Sequence, residues 1–251
     1  MLNISNLTKS FGDIKAVDDL TLNVGNELFV FLGPNGAGKT TSIKMMTGLL
    51  TPDSGTVTLN DISLQESPLQ AKRLFGYVPE QPALYEKPTI VEFLDFLMTV
   101  YKVPYETGRP RMLQLFDIFE ITERANDLIE DLSGGMKKKV SIIAALLHQP
   151  EILFLDEPTS ALDPKAARNL KDMLRGLVKQ GKTVFMSTHI LEVAETMCDR
   201  VGIINQGQLC ALGTLDELRR DYGKALSLED VFLKLTGESV RSKVDQFLKG
   251  E

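Results

Sequence analysis

Long apolar runs are missing from this chain of 251 residues. Among the longest is "SIIAALLHQP", residues 141–150, well short of the roughly 18 residues that a bilayer span requires. The opening "MLNISNLTKSFG" has no charged start followed by an apolar stretch. Neither a signal peptide nor a membrane span is therefore expected, and a role at a membrane would run through a partner. Basic excess is also missing: the net charge is −6, which argues against a nucleic-acid partner. The two cysteines, Cys198 and Cys210, sit at no metal-binding spacing and read as reduced structural thiols. There are two histidines, and neither internal repeats nor a low-complexity linker. The chain has 43% hydrophobic and 25% charged residues, as in an ordinary globular protein with a sizeable core.

The hydrophobic pattern predicts an α/β fold. "VDDLTLNV" alternates at Leu20, Leu22 and Val24, and "GTVTLN" at Val57 and Leu59. Such alternation predicts antiparallel strands with one exposed face. "ELFVFLG", "EILFLDE", "KTVFMSTH" and "RVGIINQGQ" are instead continuously apolar, as in strands buried on both faces of a mostly parallel sheet with crossover helices. Residues 82–149 read as a helical insertion in this core. "PTIVEFLDFLMTVYKV" places Ile90, Phe93, Leu94, Leu97 and Tyr101 on one stripe. Thr89 is its N-cap, with Glu92 three residues on. The segment 113–120 continues in the same style. From about 215 to 251 a helical extension is expected. "SLEDVFLKLTG" opens on a capping box, and "SVRSKVDQFLKGE" carries Val240, Val244, Phe247 and Leu248 at amphipathic spacing. The whole, residues 1–251, reads as a single domain.

Four stretches carry chemistry. "GPNGAGKTT", Gly33 to Thr41, fits a phosphate loop entered by a buried strand and left by a helix. Its glycines let backbone N–H groups turn inward at a helix N-terminus. Lys39 is placed to reach β- and γ-phosphates, the Thr40 hydroxyl to ligate Mg²⁺, and Thr41 to contact phosphate. "ILFLDE" ends a buried strand in two carboxylates. Asp156 suits a Mg²⁺ shell and Glu157 the polarisation of an attacking water; alone, the pair reads equally as solvated acids. His189 follows another apolar strand, where a lone histidine is more often structural. His148, at a helix end, reads as structural, where positive charge is favourable. "DLSGGMKKKV" offers Ser133 as an N-cap, Gly134 and Gly135 for close approach, and a helix behind them. By itself it reads as a capped helix with Lys137 to Lys139 as solvated charges.

Together these residues resemble the ATP-binding subunit of an ATP-binding cassette (ABC) transporter, in its drug and lipid exporter-type branch. The resemblance covers nearly the whole chain. "GPNGAGKTT" is similar to the Walker A motif, "LSGGM" to the family signature, "ILFLDE" to Walker B, "SALD" to the D-loop and His189 to the switch histidine. The resemblance implies a P-loop NTPase core that binds ATP and Mg²⁺ and hydrolyses ATP. Phe11 would stack on adenine, with Val17 in the same nucleotide-contact set. Gly33, Pro34, Asn35, Gly36, Ala37, Gly38, Lys39, Thr40 and Thr41 would hold the phosphates. Glu157, His189 and Lys39 would be catalytic, with Thr40 and Asp156 on the metal. The family pairs its subunits head to tail. Asp163, in the D-loop, belongs to the nucleotide-contact set, while Ser133, Gly134 and Gly135 would grip the γ-phosphate of the partner's nucleotide, which explains two phosphate grips in one chain. Whether the partner is identical or a sibling stays open.

Two positions depart from the family pattern. The signature ends in Met136 in place of glutamine. In "GYVPEQPALYE" the Q-loop position falls on Glu80 with Gln81 beside it; both stay candidates, Glu80 as a metal ligand. The resemblance also implies a separate transmembrane permease, docked near Pro82, Leu84, Tyr85 and Phe93, with this chain peripheral on the cytoplasmic side of the cell membrane. The rival reading is a soluble ABC ATPase serving as an assembly or scaffold factor. A third, a regulator without turnover, requires an inert Glu157.

Overall fold

The computed structural model describes residues 1–223 and 226–237. The chain opens with β1 (Leu2–Phe11) and β2 (Ile14–Val24), an antiparallel pair. β4 (Ser54–Leu59) pairs with the other edge of β1, and β5 (Ile62–Ser63) with β4. The alternating pattern is realised: Leu20, Leu22, Val57 and Leu59 are buried while Thr21, Asn23 and Thr56 are exposed.

The continuously apolar runs form the second sheet. β3 (Leu28–Leu32), β6 (Phe75–Val78), β7 (Ile152–Asp156), β8 (Thr183–Thr188), β9 (Arg200–Asn205) and β10 (Gln208–Gly213) lie in the order β10-β9-β3-β8-β7-β6. All pairings are parallel except the β9–β10 hairpin. Every residue of β3, β7 and β8 is buried, because both faces are covered. On one face, α1 (Lys39–Met46) and the antiparallel sheet enclose Phe29, Phe31, Phe154 and Phe185. Phe29 and Phe185 stack at 5.3 Å. Each buried phenylalanine contributes about 2–3 kcal/mol by removal from water.

The other face is covered by helices. Between β6 and β7 stand α3 (Ile90–Tyr101), α4 (Tyr105–Phe119) and α5 (Gly134–Leu146), preceded by the short α2 (Pro68–Arg73). Thr89 caps α3 in a reciprocal capping box with Glu92. Its buried stripe is Ile90, Phe93, Leu94 and Met98; Leu97 and Tyr101 lie half-buried on the shoulder. α6 (Pro164–Lys179) and α7 (Leu191–Met197) complete that layer. α8 (Leu215–Tyr222) leads to α9 (Leu228–Thr236), which opens on the expected Ser227–Asp230 box and buries Val231 and Phe232. The amphipathic stretch with Val240, Val244, Phe247 and Leu248 lies outside the described residues. Among the described residues no helix is long and apolar enough to cross a membrane.

His148 is structural, but the expected benefit from positive charge at a helix end is not realised. Its ring stacks on Tyr101 at 3.9 Å, Nε2 lies 3.0 Å from the Phe75 carbonyl, and Nδ1 is buried with no partner among the described residues. Burial holds its pKa below the ordinary histidine value, because a charged ring here would lose its water.

Candidate active site

The parallel register decides which residues meet. Leu32 pairs with Thr188, Asp156 with Ser187, and Val78 with Leu155. The carboxyl ends of β3, β6, β7 and β8 therefore finish side by side, where open α/β sheets bind ligands. The phosphate loop, Glu80, the Asp156–Glu157 pair and His189 all leave from that edge.

The loop's shape is set by two close approaches. A Cβ on Gly38 would sit 2.4 Å from the Ala16 carbonyl, and its φ of +105° is one that side chains rarely adopt. A Cβ on Gly33 would meet the Ile204 carbonyl at 2.4 Å. α1 then begins with neither a capping side chain nor an acid in its first turn. Its leading N–H groups lack intrahelical partners, so the helix start favours an external anion. A cavity of about 290 Å³ lies there, bordered by Asn35, Gly36, Gly38, Lys39, Thr40, Thr41, Ala16, Glu80 and Glu157. Gly33, Pro34 and Ala37 shape the loop from within. The Lys39 ammonium donates to the carbonyls of Gly33 (2.7 Å) and Pro34 (3.0 Å), and Ala37 N–H donates to Pro34. Burial holds the Lys39 pKa below its usual value, against the pull of the Glu157, Asp156 and Glu80 carboxylates.

The two carboxylates of β7 have different surroundings. Ser187 Oγ donates to Asp156 Oδ1, while Asp156 Oδ2 is buried with no partner among the described residues. Such an orphaned carboxylate oxygen fits a cation ligand. Glu157 leaves the strand with φ +44°, which turns its side chain back across the sheet edge. Oε2 accepts from Thr188 Oγ1 at 3.2 Å, and Oε1 lies 2.8 Å from His189 Nδ1 and 3.9 Å from the Lys39 ammonium. A carboxylate can only accept, so His189 carries its proton on Nδ1. Among the described residues no three acidic, histidine or cysteine side chains form a metal cage. A divalent ion held here would share its shell with phosphate oxygens and water.

Several expectations are corrected or sharpened. Val17 does not face the cavity: it is fully buried in the core beneath the antiparallel sheet. The pleat of β2 turns its neighbour Ala16 to the cavity instead. Glu80 borders this cavity and Gln81 does not. Phe11 stands 52% exposed at the end of β1, with the Lys9 ammonium 5.8 Å from its ring centre. Asp163 caps α6 through Ala166 N–H and pairs with Lys139 at 2.8 Å. Both partners hold its carboxyl below the usual range, Lys139 most strongly. Lys137 to Lys139 are not three solvated charges. Lys137 reaches Glu86 at 3.4 Å, Lys139 reaches Asp163, and Lys138 is only 1% exposed. Burial pushes the Lys138 ammonium down to about 8, against the pull of Asp156, Glu80 and Glu157. Ser133 caps α5 by accepting from Met136 N–H at 3.3 Å. Ser133 and Gly134 are exposed, and neither they nor Gly135 border the loop cavity.

A second cavity of about 710 Å³ adjoins the first, since Thr40 and Glu80 border both. Its far wall is Ala83, Leu84, Phe93, Leu97 and Tyr101. Phe93 is core, 6% exposed, while Tyr85 is 67% exposed and lies edge-on to Phe93 and Phe96. Sequence reasoning missed Ala16, Ser187, Thr188 and Lys138. For Ser187 and Thr188 a signal existed: two hydroxyls end an otherwise apolar strand in "TVFMST".

A glycine-shaped loop at a helix start, facing two carboxylates at the end of the next-but-one strand, defines a P-loop nucleoside triphosphatase. The comparisons specify which. The family profile described as ABC transporter matches residues 17–160. The linearmycin resistance ATP-binding protein of Bacillus subtilis (strain 168) is 38% identical over 87% of this chain and 70% of its own length. A solved structure described as the ATP binding subunit of an ABC transporter superposes with a TM-score of 0.90 at 34% identity, over 94% of this chain and 99% of that one. The dimeric post-hydrolysis cassette MJ0796, bound to ADP and Pi, superposes with a TM-score of 0.78 at 29% identity, over 86% of this chain and 99% of that one. This chain belongs to the ABC transporter family and is an ATP-hydrolysing cassette.

Proposed function

We propose that this chain hydrolyses MgATP at the interface of a head-to-tail dimer and thereby drives a separate membrane-spanning permease of an exporter. One observation supports the reading: Ser133, Gly134 and Gly135, at the start of α5, do not border the loop cavity, so a phosphate grip formed by them would serve another subunit's nucleotide. A second subunit brings the two grips onto one nucleotide.

In this reading the α1 N-terminus and Lys39 bind the phosphates, and Phe11, exposed at the end of β1, stacks on the base. Thr40 and Asp156, whose Oδ2 has no partner among the described residues, would hold Mg²⁺, and Glu80 would join them directly or through water. When bound, Mg²⁺ neutralises charge on the transferring phosphoryl group. Glu157 accepts the proton of the attacking water; Thr188 and His189 aim its carboxylate beforehand. His189 then also contacts the γ-phosphate. Such a site works by positioning and electrostatic stabilisation. Cleavage removes the γ-phosphate that links the two subunits, and the dimer opens. The 710 Å³ groove from Glu80 to Tyr101 receives an apolar segment of the permease on the cytoplasmic side of the cell membrane. Export follows from the branch that the sequence resembles, and the linearmycin resistance relative agrees with it.

Phosphate release by the purified chain tests the catalytic part. Capture of the chain from native membranes in mild detergent, followed by mass spectrometry, tests the partner. A stoichiometric protein with several apolar spans is expected; soluble partners alone would overturn the transporter reading.

A further inference from the structure

Lys138 is the one buried cation that neither the nucleotide nor the metal accounts for among the described residues. It lies on α5, one turn past Gly135, roughly 4.5 Å along the axis. Its ammonium donates to three backbone carbonyls: Pro79 at 2.8 Å, Glu80 at 2.9 Å and Asp156 at 3.3 Å. Three N–H groups meet three acceptors, so the donor set is filled. The acceptors come from two separate segments, the loop leaving β6 and the last residue of β7. These segments carry the carboxylates assigned above to the metal side of the site. A buried cation is costly, whereas a methionine of similar length would fill the space without that cost. The neighbouring lysines extend the pattern: Lys137 holds Glu86 at the entrance to α3, and Lys139 holds Asp163 at the start of α6.

We propose that Lys138 is a positioning residue that locks the signature helix to the loop bearing Glu80 and to the end of β7 at Asp156. The phosphate grip offered to the second subunit and the chain's own metal-facing carboxylates then move as one body. The Glu80 loop also borders the permease-side groove, so one ammonium joins three functional surfaces. This role rests on the ATPase reading above.

The test compares Lys138→Met, which keeps the length and loses every donor, with Lys138→Gln, which keeps two N–H groups for three carbonyls. Melting temperature, ATP affinity without magnesium, and kcat and KM for MgATP are measured on the purified full chain. The Walker A loop is untouched, so ATP affinity and KM stay within about twofold, while kcat falls about tenfold or more in Lys138→Met, as misplacement of catalytic groups does. Lys138→Gln falls between, with an unchanged melting temperature. A folded variant with wild-type kcat, or a loss residing in KM, or one that tracks the folded fraction, overturns the role. If Lys138→Met does not fold, Lys138→Gln decides by the same criteria. Absence of turnover in the wild-type chain would instead sink the ATPase reading; turnover with unaltered variants sinks only the positioning role.

Discussion

Ser187 offers the sharpest test of how the site is held together. Its hydroxyl donates to Asp156 Oδ1 and accepts the Glu157 backbone N–H at 3.2 Å. Asp156 is 1% exposed and its second oxygen has no partner among the described residues. Ser187→Ala therefore leaves a buried carboxylate without its side-chain donor. Hydrogen bonds to charged groups contribute about 1.5–3 kcal/mol, and an unsatisfied buried partner adds to the loss. We expect a destabilisation of about 2–3 kcal/mol, or roughly 4–12 °C in melting temperature for a domain of this size. Differential scanning fluorimetry without nucleotide reads it directly. Ser187→Cys, nearly isosteric but a weak donor, should fall between alanine and wild type. If Ser187→Ala melts within about a degree of wild type, the hydroxyl is not bearing the Asp156 charge and the account of the β7–β8 edge is wrong.

Other perturbations test neighbouring parts. Glu157→Gln keeps the shape but removes the anionic acceptor facing His189; kcat should drop about 10²–10⁴-fold, the range of a lost general base. Light scattering should then show an ATP-bound dimer, and a chain that stays monomeric at saturating MgATP would count against the shared-nucleotide arrangement. Gly135→Ala would place a Cβ 2.6 Å from the Ala161 carbonyl. The segment after Glu157 must then shift, at about 1–3 kcal/mol for overpacking, and kcat should fall with stability; no change in either would refute the close approach. For His148 the folded pKa lies below the unfolded value near 6.5, so its neutral form stabilises the fold above that pH. The stabilisation is lost as pH falls from there through the folded pKa. Melting temperature should drop across that window, and His148→Phe, which retains a ring on Tyr101, should flatten the slope; an equally steep slope would refute it.

Much of this protein was legible because its local patterns are strong. Alternation at Leu20, Leu22 and Val24 and unbroken apolarity in "LFVFL" and "ILFLD" separate the two sheets. The reason is physical: a sheet open to water on one side must alternate, and one covered on both sides must not. The capping boxes at Thr89 and Ser227 were readable because their hydrogen bonds span only three residues. The phosphate loop was readable because its backbone shape demands glycine at fixed spacing.

What failed in the reading failed through long-range contact. Val17 and Ala16 differ only in which side of β2 they occupy, and a strand's pleat relative to a distant cavity is fixed by pairing register, which no local motif encodes. Lys138 looks like its two neighbours in "KKK", yet its partners lie 58, 59 and 18 residues away.

By itself the sequence determined the two sheet types, the inserted helices, the phosphate loop and the acids that end β7. Each depends on periodicity or on backbone geometry within a few residues. Only the tertiary structure decided which oxygen of Asp156 the Ser187 hydroxyl holds, that Glu80 and not Gln81 turns to the loop cavity, and that one lysine of three is buried. Those outcomes depend on where strands 75–78, 152–156 and 183–188 end relative to one another, a register set by the packing of the whole core.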